Sequence, residues 1–334
     1  RTPISSLPFT ITQPGSYYLT TNLSVSSGTA ITIATNGVTL DLNGFTLSSS
    51  DPANTGDGIR INSGLADLAI LNGHIRGGVT NNAGVFSGPG FGYGIRNSGS
   101  APWNVRVSGV TVSGCRYDGI YLGTGEATLV EGCLVRTVGG YGIVASTIKG
   151  SVAKECGSSA IYGHQVSDSR GESIGGYGLY ASTAQNCYGY SGGSGYGLFA
   201  STAQNCYGES SSGTGLYATT AQNCYGYSGG SGYGLDASTA QNCYGSSGSG
   251  TAGLYAFYTA QNCYGYSGSG YGLSANTAQN CYGQSSSGLA GLYAQNASFC
   301  TGYRSGGRAI WATIANGCWA AAGTNLITHK YNMP

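Results

Sequence analysis

Eight side chains in the first half of this 334-residue chain are of kinds that do acid, base or anion chemistry: Asp57, Arg60, His74, Arg76, Arg96, Arg116, Asp118 and Glu131. Asp57 and Asp118 each stand just before a Gly-Ile step, in "DGIRI" and "DGIYL", and Arg60 and Arg96 each follow one. Paired carboxylates suggest glycoside hydrolysis, for which the two groups stand about 5 to 9.5 Å apart. If the Gly-Ile steps occupy equivalent places in stacked strands, Asp57 and Asp118 lie at least two strand spacings apart, near or above ~10 Å. That is a poor placement, and His74 reads as a surface or turn residue. Catalysis is therefore disfavoured, and no residue is assigned a catalytic role.

Between Gly175 and Cys300 the only acids are Glu209 and Asp236, and Lys, Arg and His are absent. What this half has in quantity is cysteine and tyrosine. Cys187, Cys206, Cys224, Cys243, Cys263, Cys281, Cys300 and Cys318 recur at one place in successive copies of a motif, with Cys115, Cys133 and Cys156 read as its earlier continuation and Ser169 filling one place. Side chains in register project in parallel about 4.8 Å apart, whereas the Cβ atoms of a disulfide want ~3.8 Å. No C-x-x-C spacing occurs, so neither a metal nor a cofactor is expected. The column reads as structural, with cysteine serving as a small apolar residue.

Tyrosine forms three columns. Tyr188, Tyr207, Tyr225, Tyr244, Tyr264 and Tyr282 each follow the cysteine, with Trp319 in the same place at the end. A second column (Tyr93, Tyr141, Tyr177, Tyr196, Tyr233, Tyr271) precedes the Gly-Leu or Gly-Ile step, and a third (Tyr180, Phe199, Tyr217, Tyr255, Tyr293, Trp311) follows it. Outward rings at strand spacing suit either sheet stabilisation or contact with a sugar or a second rod, and the first column is the candidate binding surface.

These columns need an element that returns every residue to the same place. "TAQNCYG" begins at Thr183, Thr202, Thr220, Thr239, Thr259 and Thr277, and the Gly-Leu steps place Leu179, Leu198, Leu216, Leu235, Leu254, Leu273 and Leu292 at intervals of 18 or 19 residues. The period is too short for helical-pair repeats, and no stretch shows apolar residues at helical spacing. "GLFAS" and "TAQNCYG" alternate as strands around a Gly/Ser turn, with Asn205 at a bend between inward Ala203 and Cys206. The fold expected is all-β: a parallel β-helix, or solenoid, with coils of about 18 to 20 residues in the regular half. Ile59, Ile95, Ile120, Ile143 and Ile161 hold the Leu position in the less regular half. The expected divisions are a cap and first strand over 1–24, irregular coils over 25–174, regular coils over 175–320, and a tail or cap over 321–334.

Composition narrows the partners. A net charge of +1 with only 7% charged residues gives no field to collect a phosphate backbone, so nucleic acid is not expected. No apolar run is long enough to span a membrane. "GPGFGYG" has the look of a phosphate loop but arises among 61 glycines and precedes no helix. The chain opens at Arg1 without an apolar leader, as a processed secreted protein does, so secretion or cell-surface display is expected.

"ITQPGSYYLTTNLSV", "GVTLDLNGFTL" and the recurrent "YGLYAST…NCYG" resemble bacterial secreted right-handed parallel β-helix repeat proteins of the pectin-lyase-like superfamily, from about Phe9 to Trp319. The resemblance implies a right-handed coil, as parallel crossovers generally are. It does not select an activity, since the superfamily includes pectate lyases, polygalacturonases, epimerases and phage tail fibres. Polygalacturonase-like members carry adjacent Asp residues and an Arg-x-Lys segment; this chain has neither. Pectate-lyase-like Ca²⁺ sites need clustered acids, and the 12 Asp and Glu here are scattered. Near-identical coils suit a function carried by shape. The first expectation is a non-catalytic extracellular structural or adhesive β-helix, self-associating into fibres through its terminal coils or aromatic faces. The alternative is a polysaccharide-binding or polysaccharide-acting protein of lyase, hydrolase or epimerase type.

Overall fold

The computed structural model describes residues 1–125 and 127–333. Among them every regular element is a β-strand, and the chain divides into two compact units, Arg1–Gly176 and Tyr177–Pro334. Both are parallel β-solenoids, with about 17 turns in all.

In the second unit each turn pairs in register with its copies. Leu198 lies beside Leu179 and Leu216, Thr202 beside Thr183 and Thr220, and Tyr207 beside Tyr188 and Tyr225. Leu198 and Ala200 alternate inward, and after a corner at which Ser201 and Thr202 are both exposed Ala203 turns inward again. Continued alternation would put Asn205 inward and Cys206 outward. Instead Asn205 takes a φ of 53°, and Asn186, Asn223, Asn242, Asn262 and Asn280 do the same at 51–54°. Asparagine is among the few residues other than glycine that settle in the left-handed region. The bend absorbs one residue and returns Cys206 to the interior. The amides then join the turns: Asn205 Nδ2 donates to Asn186 Oδ1 at 3.2 Å, and equivalent bonds run to Asn280.

The interior of this unit is narrow, lined by Leu, Ala, Cys, Gly and Ser. A Cβ on Gly208 would come within 2.3 Å of the Gly215 carbonyl oxygen, which is why glycine stands there. A column of buried serines runs through the turns, and several of them close a turn by hydrogen bonding. Ser210 Oγ donates to the Gly195 carbonyl at 2.7 Å and accepts from the Gly213 N–H at 2.9 Å; Ser247 does the same with Gly232 and Gly250.

The first unit uses larger side chains and longer turns. Ile31, Ile59, Ile95, Ile120, Ile143 and Ile161 succeed one another in register, and Leu, Ile, Val and Phe91 fill the core. The turn from Ile59 to Ile95 contains an antiparallel excursion, Thr80–Asn82 with Val85–Ser87. Unequal turns mislead an alignment made by cysteine alone. Cys133 is followed in its column by Ser151 and Ser169, whose hydroxyls accept from the preceding backbone N–H groups. Cys115 and Cys156 belong instead to a different column, with Val138 between them and Ser173 after. Within the first unit the three cysteines therefore do not form one column: Cys133 shares its place with Ser151 and Ser169, and Cys115 and Cys156 share another. All eleven thiols are buried and unbridged.

The serine column sets up a comparison. Ser247 Oγ satisfies two backbone groups, whereas the equally buried Ser228 Oγ has no partner among the described residues. Ser247→Ala should destabilise by about 1 to 3 kcal/mol, the cost of stranding buried polar groups, and Ser228→Ala by less than about 0.5 kcal/mol. Urea unfolding of both variants checks this; equal losses would contradict the assigned roles.

Candidate functional site

The acid and base side chains of the first unit do not converge. Asp57 Oδ2 accepts from Arg60 Nε at 2.6 Å and forms an ion pair with Arg96 Nη2 at 3.2 Å, and Asp57 is buried. Arg96 also lies 4.2 Å over the Tyr93 ring. Tyr93 separates Asp57 from Asp118 in one column, so the carboxylates are two ladder steps apart, about 9.6 Å. Asp118 Oδ1 accepts from the Tyr141 N–H at 2.8 Å, and burial raises its pKa. His74 and Arg76 are exposed, flanked by Thr46 and Thr111 and by Ser48 and Ser113. Arg116 donates to the Phe86 carbonyl, and Glu131 pairs with Arg106.

Beside Asp118 the face becomes aromatic. Tyr121 and Tyr141 meet at 54° with centroids 6.5 Å apart, and Tyr141 and Tyr162 at 72° and 6.2 Å. The first pair is tilted and the second meets edge-on, and together they line a hollow of about 280 Å³, completed by Thr124 and Val144. Tyr121 and Tyr162 were not singled out in the sequence; their signal is the place after the Gly-Ile or Ala-Ile step, where the regular half carries its third aromatic column.

The candidate binding column of the second unit is arranged differently. Tyr188, Tyr207, Tyr225, Tyr244, Tyr264 and Tyr282 stack face to face, with centroids 4.7–5.2 Å apart and planes within 10°. Each inner ring has both faces against its neighbours and shows solvent only an edge. Burial between rings, then the charge of Glu209, pushes the Tyr207 phenol up to about 12. Below the column the Cys206, Cys243 and Cys281 thiols are buried and each donates to two backbone carbonyls, as Cys206 Sγ does to Gln204 at 3.2 Å and Ala184 at 3.4 Å. On the next face the Gln204, Gln222, Gln241 and Gln261 amides bond to one another at 3.3–3.4 Å.

The column after the Gly-Leu step is the irregular one. Tyr180, Phe199 and Tyr217 stack at 5.0 and 4.7 Å, after which the places are held by Asp236, Tyr255, Ser274, Tyr293 and Trp311. Where this column is small, the place before the Gly-Leu step is Tyr: Tyr233 accompanies Asp236 and packs 5.4 Å from Tyr255, and Tyr271 accompanies Ser274 and packs 5.2 Å from Tyr293. From Tyr217 to Tyr293 the two columns thus alternate large and small, whereas Tyr177 with Tyr180 and Tyr196 with Phe199 are large in both. Burial pushes the Asp236 carboxyl up to about 6.

No family profile and no curated protein matches the chain. Among solved structures it is similar to the polygalacturonase from Erwinia carotovora ssp. carotovora, with 11% identity, a TM-score of 0.33, and coverage of 100% of this chain and 98% of that one. It is also similar to the Dettilon tailspike protein, with 13% identity, a TM-score of 0.28, and coverage of 99% of this chain and 60% of that one.

Asp236 supplies a pH test. A carboxyl whose folded pKa is raised to about 6 from 3.8 binds its proton more tightly in the native state, so folding loses stability as pH rises from about 4 to about 6. Asp236→Asn should match the parent below pH 4 and exceed it by about 1 to 2 kcal/mol at pH 7, a value discounted for the water the carboxylate retains. Denaturant unfolding at both pH values checks this; equal stability of the two proteins at pH 7 would contradict it.

Proposed function

We propose that this protein binds polysaccharide, outside the cell or at its surface, through the aromatic and polar side chains beside its Gly-Ile and Gly-Leu steps. The observation that carries this reading is the hollow lined by Tyr121, Thr124, Tyr141, Val144 and Tyr162. Sugar rings are recognised by aromatic surface on their apolar faces and by hydrogen-bonding groups at their edges, in hollows of about 300 Å³ and upward. Rings set tilted or edge-on around a cavity meet that requirement, whereas the parallel Tyr188–Tyr282 column has its faces turned to its own members. Binding without turnover is the form proposed, because Asp57 is engaged by two guanidinium groups and stands two ladder steps from Asp118.

A second reading, self-association into fibres, is favoured by the strand Trp319–Tyr331. It pairs with Thr301–Asn316 on one side, and among the described residues no strand pairs with its other edge, which is the kind of edge that recruits another chain. Concentration-dependent light scattering tests it.

Affinity electrophoresis in gels containing polygalacturonate, galactan, mannan or β-glucan tests the binding reading. Retardation by at least one polymer is expected, with Tyr141→Ala weakening binding about ten-fold, the equivalent of one lost stacking contact. Migration unaffected by every polymer would overturn it, and release of new reducing or unsaturated ends, abolished in Asp118→Asn, would replace binding with catalysis.

A further inference from the structure

Copies of "TAQNCYG" in the second unit follow one another at 18 or 19 residues, except that Thr259 follows Thr239 by 20. The added residue lies in "LYAFYTAQ", where the first coil reads "LYASTAQ". Ala237 pairs with Ala256 and Thr239 with Thr259, and on the other side Ala256 pairs with Ala275 and Thr259 with Thr277. Phe257 and Tyr258 together therefore oppose the single residues Ser238 and Asn276, which makes a bulge. Bulges re-aim side chains, and here both rings turn outward, 56% and 57% exposed, at a centroid distance of 4.6 Å and an angle of 81°. Elsewhere in the unit this position is Ser, Thr, Asn or Gln.

The bulge stands beside a gap in an aromatic column. Tyr255, Ser274 and Tyr293 are successive members of it, so the two tyrosines are two ladder steps apart, about 9.6 Å. A stacked partner sits about 4.5 to 7 Å from a ring, so a flat guest is placed by the Tyr255 face that Ser274 leaves open. Tyr233 covers the Tyr255 ring from the preceding turn; among the described residues no ring covers Tyr255 from the Ser274 side. Tyr271 stands in the same turn as Ser274 and packs on Tyr293 from there, so the face of Tyr293 toward the gap is partly taken. The resulting hollow has a volume of about 310 Å³, with Phe257 and Tyr258 as its raised wall and the amides of Asn276 and Gln295 among its lining groups. Nothing that lines it is charged at neutral pH.

We infer that this hollow is a subsite for one neutral pyranose residue of a polysaccharide, stacked on Tyr255 and walled by Phe257 and Tyr258. The inference rests on the polysaccharide-binding reading above and adds to it a place and a sugar class. Hydroxyls of the guest meet Ser274, Asn276 and Gln295, which donate and accept without charge. A uronate would bring an anion to a site with no cation to receive it.

The test uses the whole chain and a variant that removes Phe257 and carries Tyr258→Ser, restoring the "LYASTAQ" already present at Leu179–Gln185. Because other turns fold with that spacing, the variant should keep its circular dichroism and thermal midpoint. Titration calorimetry with cello-, manno- and galacto-oligosaccharides and with oligogalacturonate is the readout. At least one neutral series should bind the parent and lose about ten-fold or more in the variant. Equal neutral-sugar affinity in the two proteins would overturn the subsite while leaving polysaccharide binding in place. Tighter binding of oligogalacturonate than of any neutral series, lost in the variant, would overturn the sugar class, and a parent that binds none of these probes would overturn both readings.

Discussion

Register at a spacing of about 4.8 Å is the constraint from which the rest of this molecule follows. Each residue of a regular turn lies between its own copies, so a choice of side chain is a choice of column. Leu over Leu and Ala over Ala keep the interior uniform. Asn over Asn at a left-handed φ allows every amide to donate to the one before it. The narrow interior follows as well, because a larger residue repeated in each turn would have to find room in each.

The same constraint limits what a column can do for a ligand. Rings placed at strand spacing are at stacking distance from one another, so the Tyr188–Tyr282 column uses its faces internally. A guest can reach an aromatic face only where register is interrupted or the rings are tilted. Tyr121 and Tyr141 are tilted; Ser274 leaves out a ring and the Phe257–Tyr258 bulge adds a wall. Uniform turns build the scaffold, and departures from uniformity build the candidate sites.

Charge is sparse enough that each ionisable group has local consequences. In the first unit Asp57 is balanced by two arginines, one of which also rests on an aromatic face. In the second, Asp236 replaces a ring and is partly buried, so its proton is held more firmly than in water. One position of one column thus exchanges stacking for pH sensitivity.

Sequence by itself determined the solenoid. The interval between Leu198, Leu216 and Leu235, the recurrence of Cys206 and Tyr207, and the Asn at the bend are local signals repeated often enough to define the turn, since a residue's neighbours in space are its equivalents in the next copy. In the first unit that logic held for the isoleucines but not for Cys115 and Cys156, because turns of unequal length remove the fixed offset that identifies a column. Tertiary structure alone decided which faces of the tyrosines are covered, that Asp236 is shielded, and that Phe257, Tyr258 and the gap at Ser274 adjoin one hollow. The 20-residue step was visible in the chain; its meaning was not, because whether an added residue buries or projects its neighbours depends on the packing of the turns on either side.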